Sequence, residues 1–330
     1  MSNLKSSVLK KMIAIGVSVS MISGAVMAQD VEKNGSADVP ESQSTRTTET
    51  EPGDAMYKQG VRFEEDGDMV KAIEYYQMAT NLGNTEAMCK LAFCYENGVN
   101  LEQDSNRAFE LYFRAANNEN VEAMFHMGMY YINGYIVPKD VRMGQSWLLR
   151  AAEKGFVSAM HNLGVSYANE GEEYKDEARA FEWYLKAAQN EYVDAMYAVA
   201  EHYRNGIGVG KDEAKAFEWD LKAAMNGDVD AMCKVAECYR NGLGVERDEK
   251  KMFEWDKKAA ENGQIWSMNQ LGGYYMNGVE GVVDKDNEQA LVWWQKAAGG
   301  GHALALYNLA INFPDKCCWI EAGEISKFQY

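Results

Sequence analysis

A repeat of 36 residues is the feature that most restricts what this chain can fold into. An Ala-Met pair begins at Ala87, Ala123, Ala159, Ala195 and Ala231, so the pairs follow one another at intervals of 36 residues. A fixed period of about 20 to 50 residues is typical of stacked supersecondary units, each of which buries its apolar face on its neighbours. We therefore expect the 330-residue chain to form an array of such units and not two ordinary globular domains.

Each unit has the pattern of two helices joined by a loop that contains glycine. In the unit that begins at Ala195, apolar and small residues recur on one helical face as far as Tyr203, after which Asn205-Gly206 ends the helix. Asp212 is suited to cap the second helix because its carboxylate can accept from unpaired backbone N–H groups, and Gly227 ends that helix. The pattern predicts an all-α fold made of helical hairpins.

Aromatic residues recur at one position in each helix of the unit. The first helices carry Phe63, Tyr95, Tyr131, Tyr167, Tyr203, Tyr239, Tyr275 and Phe313, and the second helices carry Tyr75, Leu111, Trp147, Trp183, Trp219, Trp255 and Trp293. Large aromatic side chains at strict repeat spacing are typical of a core. We expect these two columns to fill the interior between hairpins.

The repeat resembles the Sel1-like repeat, a relative of the tetratricopeptide repeat, over about residues 55–313. The positions that carry the resemblance are Leu163, Gly164, Tyr167, Ala180, Trp183, Tyr184, Lys186, Ala187 and Ala188 in one unit, and Tyr239, Gly242, Gly244, Val245, Asp248 and Trp255 in a later one. The resemblance implies a right-handed α-solenoid of helix-turn-helix repeats. The expected divisions are a tetratricopeptide-like first repeat at 54–86, six Sel1-like repeats at 87–304, and a partial repeat with a C-terminal tail at 305–330.

The N-terminal segment predicts export. Lys5, Lys10 and Lys11 precede an apolar run over residues 12–27, and small residues lead to Ala28, which is the pattern of a cleaved secretory signal. The run is short for a membrane span, although an uncleaved signal anchor is the alternative. We expect cleavage after Ala28 and a bacterial, periplasmic protein, with secretion as a second possibility. Residues 29–53 are polar and predict a disordered leader.

The charge of the chain excludes two classes of partner. The sequence has 33 basic and 50 acidic residues, a net charge of −17. Removal of residues 1–28 takes away three lysines and leaves 30 basic residues against 50 acidic ones, a net charge of −20. Nucleic acid and anionic lipid both require a cationic surface. We therefore expect neither nucleic-acid binding nor membrane insertion after cleavage, and the oligomeric state is left open.

Motifs of catalysis are scarce. Cysteine-rich proteins of the Sel1-like family are linked to β-lactam recognition, but Ser-x-x-Lys occurs only at Ser2–Lys5 and Ser7–Lys10, inside the predicted signal. The chain lacks the P-loop, His-Glu-x-x-His and Gly-x-Ser-x-Gly motifs. Glu201 and Glu237 could meet His161 across adjacent first helices, but no fixed ligand spacing supports a metal site. We expect a protein that is not an enzyme and has no metal or cofactor.

The spacing of the six cysteines does not favour a disulfide framework. Cys89 and Cys94 are five residues apart on one predicted helix, as are Cys233 and Cys238. Positions i and i+5 are separated by roughly 8.6 Å between Cα atoms, which exceeds the reach of a disulfide, about 7 Å. We expect these four thiols to act as small apolar side chains, and the redox state of Cys317 and Cys318 is left open.

The resemblance also implies where binding takes place. In tetratricopeptide-like superhelices the first helices line the concave side, and their non-core positions form a groove. The candidate groove residues are Tyr57, Phe93, Phe125, Met129, His161, Tyr197, Glu201 and Glu237. The groove is thus expected to be apolar in the first four units and acidic around Glu201 and Glu237, and to bind a peptide or protein. Tighter winding that covers these residues is the alternative arrangement.

Sel1-like proteins serve as adaptors in signalling, envelope regulation and host contact, and we expect a non-catalytic scaffold of that kind. A hydrolase acting on a β-lactam or cell-wall substrate is one alternative. A purely structural envelope protein without a discrete groove is another.

Overall fold

The computed structural model describes residues 51–169 and 171–316, and this part of the chain is all-α, as predicted. The predicted signal, residues 29–50 of the leader, and the tail with Cys317 and Cys318 lie outside the described residues. The helices are α1 (Pro52–Glu65), α2 (Met69–Asn81), α3 (Thr85–Asn97), α4 (Ser105–Asn117), α5 (Val121–Asn133), α6 (Val141–Glu153), α7 (Val157–Asn169), α8 (Gly171–Tyr174), α9 (Glu177–Gln189), α10 (Val193–Asn205), α11 (Glu213–Met225), α12 (Val229–Asn241), α13 (Glu249–Glu261), α14 (Ile265–Asn277), α15 (Asn287–Gly299) and α16 (Ala303–Asn312).

These helices form consecutive hairpins, each with a first and a second helix. The first helices are α1, α3, α5, α7, α10, α12, α14 and α16, and the second helices are α2, α4, α6, α9, α11, α13 and α15. Apart from the short α8, each helix packs mainly against the helix before it and the helix after it, so that α7 packs against α9, which confirms the predicted α-solenoid. None of the helices in the described ranges is long and apolar enough to cross a membrane.

Short polar and glycine signals set the helix ends. Asp212 caps α11 as predicted, because its carboxylate accepts from the backbone N–H of Lys215 at 3.0 Å. Gly206 ends α10 in the left-handed conformation, with φ of 70°, and its N–H donates to the carbonyl of His202. Aspartates cap the other second helices in the same way, which explains why one residue type recurs at this position: Asp68, Asp104, Asp140, Asp176, Asp248 and Asp286.

The second glycine of the loop is required by contact with the preceding repeat. Gly208 has φ of +66°, and a Cβ atom added there would lie 2.0 Å from the carbonyl oxygen of Glu177 at the start of α9. Gly244 stands in the same relation to Glu213 at the start of α11, also at 2.0 Å. Only glycine permits this approach of loop to helix, and the contact sets the spacing of adjacent hairpins.

Two loops depart from the common form. The short helix α8 lies in the loop between α7 and α9. The loop after α14 is two residues longer than the loops after α3, α5, α10 and α12, and it is closed by an isolated antiparallel bridge between Val279 and Val283. Only the loop after α14 is lengthened, since α8 lies in a loop of the usual length, and in both cases the pairing of first and second helices is intact.

The core is continuous along the array because alanines allow neighbouring helices to approach. One cluster of buried side chains extends from Ile73 to Ala259, and smaller clusters lie at each end. Ala87, Ala123 and Ala195 of the repeated Ala-Met pair have no exposed surface. The repeat that was visible in the sequence is therefore a repeat of close helix–helix contacts.

The aromatic columns are only partly as predicted. Trp183, Trp219 and Trp255 pack against the core but are half-buried, and a lysine ammonium covers each ring at 3.9, 4.0 and 4.2 Å from its centroid. The more deeply buried column is the next residue along each second helix: Tyr76, Tyr112, Leu148, Tyr184, Asp220, Asp256 and Trp294. An indole whose face carries a lysine stem and charge is stable at the edge of a core. Trp147 and Trp293, which also lie under a cation, are buried.

Candidate binding surface on the first helices

The predicted groove residues lie on one side of the first helices, and we call this side the first-helix surface. It consists of the positions of Glu86, Cys89, Lys90, Phe93 and Asn97 in α3 and their equivalents in the other first helices. These positions are three or four residues apart, so they share one helical face. The residues that face the neighbouring second helices instead form the core.

We call the N-terminal half of the first-helix surface the apolar half, because the position of Phe93 holds an apolar residue in each of its four first helices. Phe93 has 50% of its surface exposed, and Val61 and Met129 are half-buried at the equivalent positions of the neighbouring first helices. Phe125 is more enclosed, since its ring lies 5.4 Å from that of Phe156 and it packs against the core, as Met129 also does. Phe93 is thus the apolar residue that projects furthest, while Phe125 and Met129 serve both the core and the surface.

Tyr57 lies at the N-terminal end of the same surface. It is half-buried, and its ring centroid is 5.9 Å from that of Tyr76. Burial raises the pKa of Tyr57, while Lys90 of the next repeat lowers it and Glu86, Glu122 and Glu64 raise it slightly. Tyr57 therefore faces charged groups of the next two repeats, and the surface is shared between hairpins.

His161 lies beneath the surface. Only 8% of it is exposed, and its ring centroid is 4.9 Å from that of Tyr192 and 5.6 Å from that of Tyr184. Burial lowers the pKa of His161 to about 4, so the imidazole is neutral at physiological pH. In residues 51–169 and 171–316, no group of three His, Cys, Asp or Glu side chains is placed to hold a metal ion.

The C-terminal half of the surface carries Glu201 and Glu237 at the position of Phe93, and both glutamates have cationic partners. Arg204, one helical turn after Glu201, forms an ion pair with it. Lys234 donates to the carboxylate of Glu237 at 3.0 Å. Glu201 also accepts a hydrogen bond from the side chain of Asn205. Both glutamates are half-buried, so each remains partly open to solvent.

Two buried aspartates behind this surface were missed by the sequence analysis. Asp220 and Asp256 have no exposed surface, and they pair with Arg204 and Arg240 respectively. Burial raises the pKa of Asp220 to about 7, although Arg204 acts in the opposite direction. The sequence contains the signal, because Trp-Asp replaces the Trp-Tyr of Trp183-Tyr184 in those two repeats only, and an arginine occurs in the same two first helices.

The four cysteines in the described part of the chain are free thiols. Burial raises the pKa of Cys94 and of Cys238 to about 11, and it raises the pKa of Cys89 further. A thiol with a raised pKa is a poor nucleophile at neutral pH. The geometry of these residues is that of small apolar side chains within a helical stack, and it gives the hydrolase alternative no support.

The sequence matches the family model of the Sel1 repeat seven times, at residues 53–84, 85–120, 121–156, 157–192, 193–228, 229–264 and 267–302. These matches span well over half of the chain and coincide with the hairpins described above. No curated protein matches the sequence.

Two solved structures have a similar fold. One is described as a protective antigen present in uropathogenic Escherichia coli strains and displaying an SLR fold; it is 26% identical, covers 84% of this chain and has a TM-score of 0.71. The present chain spans only 60% of that protein's length. The other is a Sel1 repeat protein from Oxalobacter formigenes, which is 28% identical, with 74% of this chain and 99% of that chain covered and a TM-score of 0.64. With seven consecutive matches to the repeat and the hairpin stack that the repeat encodes, this chain belongs to the Sel1-repeat family.

Proposed function

We propose that this protein is a non-catalytic scaffold that binds a peptide or protein segment along the first-helix surface. Sel1 repeats typically form protein-interaction scaffolds. The observation that carries the proposal is the exposure of Phe93, a large apolar side chain with 50% of its surface in solvent at the centre of the apolar half. Apolar residues that cluster on an exposed face usually mark a binding site.

The shape of the apolar half suits an elongated partner. Val61, Phe93, Met129 and Val165 occupy one position in four successive first helices, so they form a row across the repeats. A helix or an extended strand of a partner could place one apolar residue against each repeat. The winding of the hairpins leaves Phe93 open, which favours a groove over the alternative in which these positions are covered.

We also propose that the protein acts outside the bacterial cytoplasm. The basic, apolar and small-residue parts of segment 1–28 support export, with cleavage after Ala28. Mass spectrometry of the native protein tests this, since the mature N-terminus should be Gln29. Recovery of intact Met1 from the envelope fraction would show a signal anchor instead.

Crosslinking in native cells, followed by recovery of the partners, tests the scaffold. The variant Phe93→Ala, alone and combined with Phe125→Ala, should lose most of the captured partner while its helical circular dichroism remains. Phe113→Ala is the matched control, because Phe113 is 42% exposed on the second helix α4 and lies off the first-helix surface. Anchor aromatics usually contribute about 2 kcal/mol or more to binding.

Equal capture by the wild type and the Phe93→Ala variant would refute the groove. Hydrolysis of a chromogenic β-lactam by the purified protein would favour the hydrolase alternative. If the double variant unfolds, the single Phe93→Ala variant still tests whether the groove binds the partner, because Phe93 does not form part of the buried core and its loss should not unfold the protein.

A further inference from the structure

The fifth repeat, formed by α10 and α11, has one guanidinium for two carboxylates. Arg204 pairs with Glu201 on the first-helix surface and with Asp220 in the interior. Asp220 has no exposed surface, and its Oδ1 atom has no hydrogen-bond partner. A buried carboxylate oxygen without a donor is costly, so Asp220 is incompletely satisfied in this cluster.

The sixth repeat, formed by α12 and α13, shows what a complete cluster contains. Asp256 occupies the position of Asp220, and it accepts from Arg240 at 2.6 Å, from the Tyr274 hydroxyl at 2.6 Å and from the Ser267 hydroxyl at 2.8 Å. Both of its oxygens are therefore satisfied. Ser267 and Tyr274 lie on α14, the first helix of the next repeat, and their equivalents near Asp220 are Ala231 and Cys238 of α12, neither of which supplies a hydroxyl.

The surface next to the incomplete cluster is aromatic and acidic. Tyr197 lies one helical turn before Glu201, and it is half-buried. Burial raises the pKa of Tyr197 to about 12, the negative charges of Glu201, Asp220 and Asp230 of the next repeat raise it further, and Arg204 lowers it, so the phenol lies in a mainly acidic neighbourhood. Together with Glu237 they make four carboxylates, and the cations among them are Arg204 and Lys234.

We propose that Tyr197, Glu201 and Asp230 form a subsite for a cationic side chain, lysine or arginine, of the segment bound along the first-helix surface. The phenol ring offers a face to the cation, and the two carboxylates supply opposite charge. A cation bound at Glu201 frees Arg204 to direct both of its terminal nitrogens to Asp220, which satisfies the unpaired Oδ1. This subsite rests on the proposed scaffold function and specifies the chemistry of its partner.

Three matched 12-residue peptides, labelled with fluorescein, test the subsite by fluorescence anisotropy. One alternates leucine with lysine, one leucine with glutamine and one leucine with glutamate. The lysine peptide should bind at least about tenfold more tightly than the glutamine peptide, and the glutamate peptide should bind least. Binding of the lysine and glutamine peptides with equal affinity would leave the groove in place and overturn the subsite. Absence of binding by all three would overturn both proposals.

Substitutions in the protein test whether Glu201 and Tyr197 account for the preference for the lysine peptide. Glu201→Gln and Tyr197→Leu should each reduce the affinity for the lysine peptide to near that for the glutamine peptide, with circular dichroism unchanged. Glu218→Gln is the control for diffuse acidity, because Glu218 is an exposed carboxylate on the second helix α11. If Glu218→Gln weakens binding as much as Glu201→Gln, general attraction to an acidic protein explains the result and the subsite is wrong.

The buried carboxylate gives an independent readout. Asp220→Asn should weaken lysine-peptide binding several-fold although residue 220 cannot touch the peptide, because Arg204 then remains on Glu201 and competes with the incoming cation. Unchanged affinity in this variant would overturn the link between the surface subsite and the buried cluster.

Discussion

The two buried aspartates provide a stability experiment with an internal control. Asp256→Ala removes the acceptor of three hydrogen bonds, from Arg240, Tyr274 and Ser267, and leaves these donors without it in a buried site. Removal of one partner from a buried ion pair costs about 3–5 kcal/mol. Asp220→Ala removes the acceptor of Arg204 alone, and Arg204 keeps Glu201 as a partner. This second change also eliminates the unpaired Oδ1, so we expect it to cost at most about 1 kcal/mol.

Urea unfolding at pH 8, followed by circular dichroism at 222 nm, measures both variants against the wild type. The two side chains have the same size and occupy the same position in adjacent repeats, so the cavity left by truncation is similar in both. The expected gap in the free energy of unfolding is about 2 kcal/mol or more, with Asp256→Ala the less stable. Equal losses, or a greater loss for Asp220→Ala, would refute the reasoning that hydrogen-bond satisfaction distinguishes the two carboxylates.

Three other predictions concern pH, packing and the aromatic columns. The folded-state pKa of Asp220 is about 7, against an ordinary value of 3.8, so the native state holds its proton more tightly than the unfolded chain. The wild type should therefore lose stability relative to Asp220→Asn as the pH rises through about 7. The loss is up to about 4 kcal/mol over the whole titration and about 2–3 kcal/mol between pH 5 and pH 8; urea unfolding at these two pH values checks this, and a constant difference would contradict it. Gly164→Ala should lower the free energy of unfolding by about 1–3 kcal/mol, because the added Cβ atom would lie 2.7 Å from the Tyr184 ring. Gly273→Ala is the control: its Cβ atom would meet nothing within 4 Å, so it should not destabilise α14. Thermal melts of the two variants check the difference. Tyr184→Ala should lower the free energy of unfolding by about 3–5 kcal/mol and Trp183→Ala by less, since Tyr184 is the more buried of the two. The reverse order in urea unfolding would show that the tryptophans, and not their neighbours, form the interior column.

The sequence by itself determined the architecture of this protein, because the repeat is made of local signals. The Ala-Met pairs, the aspartate caps and the loop glycines each act within one or two hairpins, and neighbouring hairpins pack in nearly the same way. A local pattern repeated at constant spacing therefore predicts the whole stack. The sequence also predicts which candidate groove residues lie on the same face of the first helices, since positions three and four residues apart share a helical face. Whether those residues bind a partner stays a prediction.

The tertiary structure decided how deeply each position of the register is buried. Sequence periodicity identifies a face of a helix, but it does not distinguish Trp183 from Tyr184. The Trp183 ring lies at the edge of the core under a lysine side chain, whereas the Tyr184 ring is buried between adjacent hairpins. It likewise does not show that His161 lies beneath the surface while Phe93 projects from it. The pairing of Arg204 with Asp220, 16 residues away, depends on the packing of α10 against α11. Local spacing does not specify the distances between helices. These distances decide that both oxygens of Asp256 have hydrogen-bond donors while Oδ1 of Asp220 has none.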